Sequence, residues 1–208
     1  SGRKIDPIFL FVCHTTSIFL ENSINQNYIM SNYAWHCISL IIILDSKGGA
    51  FYKHIRVGKN GKEFGLLKFR SMAAGSDKGS QITIGNDSRV TKIGRFIRKY
   101  KIDELPQLIN ILKGEMSVVG PRPEVKKYVD LYNSEQKEVL SVLPGLTDYA
   151  SIEYFDEQEV LGKAEDPEKE YIEIVMPKKL ELNLKYIREK SLMTDFKIIF
   201  KTFSKILK

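Results

Sequence analysis

The sequence predicts one α+β domain, mostly helical, with a small β-ribbon and helices lying at a membrane surface. Three observations predict it. At 208 residues and 23.9 kDa the chain is long enough for one domain with a sizeable core and short for two. Two runs, 50–57 and 63–70, bracket Gly58, Lys59, Asn60 and Gly61, and Asn-Gly in such a position is a strong hairpin signal. Most of the remainder repeats apolar residues at helical spacing. It ends in 195–208, where Lys197, Lys201, Lys205 and Lys208 share one face while Phe196, Ile199, Phe200, Phe203, Ile206 and Leu207 take much of the rest. Two readings fit that last helix: an interfacial amphipathic helix, or a helix packed on the core with a solvated Lys face.

At the N-terminus, Ser1 and Gly2 read as a cleavage scar. Residues 5–12 are apolar apart from Asp6 and Pro7, and 18–20 are apolar again. Polar stretches at 21–23 and 25–27 interrupt before ISLIIIL (38–44). No run reaches the roughly 18–20 apolar residues that a bilayer span requires. Arg3 and Lys4 ahead of an apolar run resemble the start of a signal peptide, but no small-residue cleavage site follows. Cys13 and Cys37, each beside a histidine, make no CxxC pair. Ordinary buried thiols are expected, zinc or a disulfide being the other readings; a cytosol-facing protein keeps such thiols reduced.

Residues 45–49 read as a turn, and the Gly-, Ser- and Asp-rich stretch 72–85 as a mobile loop. Across 90–100, Ile93, Phe96, Ile97 and Tyr100 fall at helical spacing with Thr91 near the start, and Arg95, Arg98 and Lys99 take the other faces. The next helix is expected to start at Asp103 as N-cap, with Glu104 and Pro106 in its first turn and Gly114 as its stop. Two carboxylates at a helix N-terminus face its positive end, which favours their ionised forms. A helix is expected over 123–140, a turn at 143–147, a helix start at 165–168 and a helix over 171–190.

Charge is uneven. The formal net is +6, yet between residues 46 and 101 fourteen Lys or Arg face three acids, a local +11 that leaves −5 for the rest. Such a patch seeks phosphates, whether nucleotide, nucleic acid or anionic lipid. It leads into Asp103 and Glu104, a pair that reads either as a plain acidic helix start or as a nucleophile and metal ligand. Beyond lies Arg122, its backbone restricted by Pro121 and Pro123. That restriction suits a guanidinium presented to phosphate; a salt bridge to an acid such as Glu124 is the other reading.

The stretch KIDELPQLINILKGEMSVVGPRPE (101–124), with LLKFRSM (66–72), ITIGNDSRVTKIGRFIRKYKIDE (82–104) and PGLT (144–147) in order, closely resembles the bacterial sugar transferases that make undecaprenyl-diphosphate-linked sugars, the monotopic phosphoglycosyl transferases. The resemblance covers about four fifths of the chain, from around Leu40 onward. It implies a degenerate membrane-anchor-like segment at 1–45, lacking the family's Ser-Pro break, and a catalytic domain at 46–208. It also implies transfer of a sugar-1-phosphate from a UDP-sugar to polyprenyl (undecaprenyl) phosphate with release of UMP. In that family the residue matching Asp103 is the nucleophile, forming a phosphosugar-aspartyl intermediate, and the one matching Glu104 helps hold Mg²⁺. Arg98 and Arg122 match phosphate-contacting positions; Lys68, Arg70, Asp87 and Arg89 match motif positions of less defined role. The expected setting is the cytoplasmic face of the inner membrane, on an anionic surface, without nucleic acid.

Two other classes compete. A basic nucleic-acid-binding protein would explain the patch, yet no helix-turn-helix, RRM or zinc-finger pattern is present. An inactive membrane-surface scaffold would explain the last helix and the degenerate anchor. Nothing in the residues selects the sugar.

Overall fold

The computed structural model describes residues 26–76, 82–85 and 87–207. The apolar runs at 5–12 and 18–20, the signal-like start and Cys13 lie outside the described residues. The architecture is mixed α+β and mostly helical. The chain divides into two compact units: Ser1–Tyr52, Lys68–Lys78 and Ser88–Leu105 form one, and Lys53–Leu67, Gly79–Asp87 and Pro106–Lys208 the other. The division runs through the β-ribbon.

The first unit is built on helix α1 (Gln26–Asp45) and on the ends of two strands, β1 (Phe51–Val57) and β2 (Glu63–Phe69), with helix α2 (Lys92–Lys99) packed against α1. Its core is Ile42, Ala50, Phe51, Phe69 and Ile97, joined by Trp35, Ile38, Ile93 and Ile102. Phe69 stacks on Phe51 at 5.1 Å and meets Trp35 at 5.2 Å. The apolar run at 38–44 therefore has an inward side. Its outward side carries Leu40, Ile41 and Leu44, all exposed, as is Tyr33 earlier in α1. Cys37 is exposed too, which corrects the expectation of a buried thiol.

One polar contact joins the ends of α1 and α2, and a second caps α2 itself. Asp45 accepts the amide of Ile93 at 3.2 Å, a carboxylate at the positive end of α2. Thr91 caps α2 through Gly94 N at 2.9 Å, as its position in the sequence suggested. Gly94 is obligatory: a Cβ there would lie 1.9 Å from the Ser71 carbonyl. The hairpin forms where Asn-Gly stands, with Asn60 at φ 58 and Gly61 at φ 74, the left-handed pair a tight reversal needs.

The second unit follows with α3 (Gln107–Leu112), β3 (Ser117–Val119), α4 (Lys126–Val129), β4 (Gly145–Thr147), α5 (Tyr149–Glu153), α6 (Glu157–Gly162), α7 (Pro167–Glu170), a π-helical turn at Tyr171–Val175, α8 (Met176–Glu189) and α9 (Leu192–Ile206). Strands β3 and β4 pair in parallel, Ser117 with Gly145 and Val119 with Thr147. One core holds Tyr128, Val129, Leu161, Tyr171, Val175 and Leu180; a second holds Val119, Tyr186 and Ile198. The first residues of this unit are pinned by Asn110, whose Oδ1 accepts Leu67 N at 3.0 Å while its Nδ2 donates to Gly65 O at 2.9 Å.

Three sequence expectations are corrected here. Residues 143–147 are partly strand, because PGLT pairs with a segment 28 positions earlier, a non-local contact that no local pattern announces. The helix expected over 123–140 breaks into α4 and a 3₁₀ stretch at Gln136–Ser141. Asn133 and Gln136 exchange side chain-to-backbone bonds of 2.8 and 3.0 Å at the break, a local alternative to the helical ladder. Helix α9 fits neither reading alone. Ile198 is fully buried and Thr202 Oγ1 meets Thr147 Oγ1 at 2.7 Å, so one face is packed. Phe196, Phe200, Phe203 and Leu207 nevertheless form an exposed stripe, Phe200 at 75 %, with Lys197, Lys201 and Lys205 flanking it. Among the described residues no helix is long and apolar enough to cross a membrane.

Replacing Gly94 by alanine drives a methyl into the Ser71 carbonyl, so the variant should lose about 1–3 kcal/mol in urea unfolding. An unchanged midpoint would show that α2 can move away from residue 71.

Candidate active site

Helix α2 ends at Lys99, and two residues on Lys101, with a φ of 55, puts a lysine in the left-handed region, an uncommon conformation for a residue with a Cβ. A single 3₁₀ turn, Ile102–Glu104, follows. Asp103 is therefore not an N-cap, contrary to expectation. Pro106 has no N–H to give the Ile102 carbonyl, so the α-helical ladder cannot run back through the acidic pair. The Leu105 amide makes the tighter bond to Ile102 O at 3.2 Å, and α3 begins only at Gln107. Gly114, at φ 73, closes α3 as expected.

This turn buries both carboxylates. Asp103 is 5 % exposed and Glu104 9 %. Lys68, brought by the end of β2, donates to Glu104 Oε1 at 3.1 Å. Arg98 comes from the last turn of α2, where its Nη1 donates to Ser71 Oγ at 3.4 Å. One oxygen of Asp103, Oδ1, is buried without a hydrogen-bond partner. Burial raises the Asp103 carboxyl above the ordinary range; Lys68, Arg98 and Lys101 pull it down, and the neighbouring Glu104 pushes it up. This corrects the expectation that a helix end would favour the ionised form: desolvation dominates, and side-chain cations oppose it.

Lys68, Arg98, Asp103 and Glu104 thus gather in the first unit. Arg70, of the same unit, is engaged elsewhere. It closes the C-terminus of α1, donating to Lys47 O at 2.6 Å and Ser46 O at 2.8 Å, a cation at the negative end of a helix. Arg89 directs Nη1 to Ser76 O at 3.5 Å, and its carbonyl accepts Ala73 N at 2.9 Å. Asp87 belongs to the second unit, its amide bonded to Ile84 O at 3.1 Å.

Arg122 also belongs to the second unit. Its amide donates to Asp148 Oδ2 at 3.2 Å and its Nη1 to Leu146 O at 3.2 Å. Glu124 accepts from Arg56 at 2.8 Å and from the Tyr171 hydroxyl. Arg56 and Tyr171 escaped the sequence reading, because residues 68 and 47 positions from Glu124 announce no pairing. So did Gln107, fully buried with neither amide atom bonded.

As metal ligands, Asp103 and Glu104 offer adjacent hard oxygens, one without a protein partner. Among the described residues no group of three His, Cys, Asp or Glu forms. Two carboxylates completed by phosphate and water oxygens are the kind of set Mg²⁺ takes, so the residues fit that ion.

The sequence profile of the family described as bacterial sugar transferase matches residues 24–208. The chain belongs to the bacterial sugar transferase family. Among its relatives, the UDP-N-acetylgalactosamine-undecaprenyl-phosphate N-acetylgalactosaminephosphotransferase of Aeromonas hydrophila is 39 % identical over 173 residues, 81 % of this chain and 38 % of the relative. The UDP-glucose:undecaprenyl-phosphate glucose-1-phosphate transferase of Escherichia coli K12 is 39 % identical over 173 residues, 81 % of this chain and 35 % of the relative. An uncharacterized sugar transferase of Bacillus subtilis, EpsL, is 38 % identical over 178 residues, 82 % of this chain and 80 % of the relative. The chain thus spans little more than a third of the first two relatives and most of the third.

For this member of the family, the raised carboxyl has a consequence for stability. A group whose folded value lies above its unfolded value costs stability once pH exceeds the unfolded value, because the folded protein must then bury a charge or hold a proton. Asp103→Asn removes that cost. In metal-free buffer at pH 7–8 its melting temperature should rise by about 2–4 °C, the shift for about 1 kcal/mol in a chain of this size. The gain should fade as pH falls below the ordinary carboxylate range. A lower melting temperature at neutral pH would mean that the ionised carboxylate is stabilised by its cations.

Proposed function

We propose that this sugar transferase is a phosphoglycosyl transferase, moving a sugar-1-phosphate from a UDP-sugar to undecaprenyl phosphate through a covalent intermediate on Asp103. The observation that carries the reading is the buried acidic turn: Asp103 with an unpartnered oxygen, beside Glu104, under Lys68, Arg98 and Lys101. Relatives named as undecaprenyl-phosphate sugar-phosphate transferases support the overall transfer.

In the first half-reaction an oxygen of the Asp103 carboxylate forms a bond to the phosphorus that carries the sugar. The bond from that phosphorus to the bridging oxygen breaks, and the electron pair leaves on UMP. In the second, a phosphate oxygen of the lipid attacks the same phosphorus, and the carboxylate is regenerated. Poor solvation of Asp103 leaves its lone pairs little stabilised by water, while the nearby cations keep an ionised fraction available. Lys68 and Arg98 oppose charge that builds on the phosphoryl oxygens. Arg122, on its proline-flanked loop, is proposed as a further phosphate contact. Glu104 and Asp103 would hold Mg²⁺, which when bound neutralises charge on the diphosphate.

UMP release should reach at most one equivalent per enzyme with UDP-sugar and Mg²⁺ alone, and turn over when undecaprenyl phosphate is added. UDP-N-acetylgalactosamine and UDP-glucose, the donors named for the relatives, are the first to try. Asp103→Asn should abolish the burst. Substantial turnover in that variant, or UMP appearing only once both substrates are bound, would remove Asp103 as the nucleophile. An inactive wild type with every donor would favour the scaffold instead.

The setting we propose is the cytoplasmic face of the inner membrane. The Phe196, Phe200, Phe203 and Leu207 stripe, exposed and edged by lysines, has the composition of a surface that enters lipid headgroups. The protein should sediment with anionic vesicles, and Phe200→Glu with Phe203→Glu should leave it in the supernatant. Equal sedimentation of that variant would assign membrane contact, if any, to another surface.

A further inference from the structure

The loop that carries Arg122 is held on both sides with unusual completeness. Ahead of it, Gly120 N donates to Thr147 O at 3.0 Å, and Pro121 O accepts Gly145 N at 2.9 Å. At the centre, the Arg122 amide donates to Asp148, a fully buried carboxylate whose other oxygen accepts Ser151 N at 2.6 Å and so caps α5. Behind it, Glu124 O accepts Val57 N at 2.8 Å. The Glu124 carboxylate accepts from Arg56 at 2.8 Å, from Val125 N at 2.7 Å and from the Tyr171 hydroxyl, while Arg56 also reaches Pro123 O at 3.4 Å. All of these groups lie in the second unit.

Such a set is costly to assemble without a return. Glu124 and Arg56 are largely removed from water, and Arg56 Nε is buried with no partner. A buried ion pair is a weak source of stability, since the loss of hydration offsets most of the attraction. What it does supply is a fixed geometry. Proline on either side of Arg122 already limits its backbone, and the two carboxylates remove the remaining freedom, one at its amide and one two residues on. An arginine that only closed a surface loop would need none of this; one that must meet a phosphate in a set orientation does.

We infer that Asp148 and the Arg56–Glu124–Tyr171 set are positioning residues that hold Arg122 in the orientation in which it binds the diphosphate of a nucleotide donor. The inference rests on the proposed role of Arg122 as a phosphate contact.

The test uses UDP, which carries the diphosphate without the transferred sugar, titrated calorimetrically into the full chain in Mg²⁺ buffer. Arg122→Ala should weaken UDP binding by about tenfold or more, the loss of one charge-assisted contact. Tyr171→Phe keeps the ring packed on Tyr128 at 5.1 Å and removes only the hydroxyl, and Asp148→Asn keeps the side-chain shape. Each should weaken UDP binding several-fold in the wild-type background. Neither should weaken it further when Arg122 is already alanine, because both act through that side chain. Glu124→Gln should behave alike, with a melting curve recorded for every variant. Single-variant effects that persist unchanged in the Arg122→Ala background, or that vanish altogether, overturn the inference while leaving Arg122 as a phosphate contact. Wild-type UDP affinity in Arg122→Ala overturns both.

Discussion

Two carboxylates buried side by side in one turn are hard to keep, and the first unit is arranged around keeping them. An ion moved out of water loses several kcal/mol of hydration even after the protein relaxes, and two like charges add mutual repulsion. Lys68 answers Glu104 directly at 3.1 Å; Arg98 and Lys101 act on Asp103 through space. Each cation needs its own support. Lys68 depends on β2 and the ribbon, whose end is packed by Phe51, Phe69 and Trp35. Arg98 depends on α2, which reaches Ser71 only because residue 94 lacks a Cβ. Lys101 depends on a left-handed backbone that a lysine adopts at some cost.

This division of labour explains why neighbouring cations in the same motif do different things. Lys68 lies within β2, whereas Arg70 stands one residue past its end at Phe69, so the alternation of the strand does not tie Arg70 to the face of Lys68. Lys68 meets the acidic turn. Arg70 meets the carbonyls that end α1, and burial pushes its guanidinium down while Asp45 draws it up. A guanidinium in that position satisfies orphan carbonyls and fixes where α1 stops, which in turn sets Asp45 against the first turn of α2.

The second unit solves a different problem with the same means. A loop with two prolines lacks two amides, yet its Pro121 and Pro123 carbonyls accept from Gly145 N and Arg56, its Arg122 amide donates to Asp148, and the Arg122 side chain donates to the Leu146 carbonyl. The parallel pairing of β3 with β4 makes this reachable, because it carries Gly145 to Asp148 alongside the loop; a Cβ at Gly145 would fall 2.1 Å from Gly120 N. Helix α9 then covers β3 and β4 with Ile198 and Thr202 and leaves its phenylalanines outside.

Much of this was decided by local sequence. Asn60 and Gly61 determined the reversal of the ribbon, Thr91 the start of α2, Asp166 and Pro167 the start of α7, and Gly114 the end of α3, since each acts on backbone groups within a few residues. The acidic pair, the Arg122 loop and the family were equally legible, because they are contiguous motifs. What the tertiary structure alone decided is where each charge finds its counterpart. That Arg70 closes a helix, that Glu124 belongs to Arg56 and Tyr171, and that Asp103 sits in a desolvated turn rather than at an exposed helix end all depend on contacts tens of residues apart. Hydration competes with every such pairing, and only the packing of the chain determines which charges lose their water.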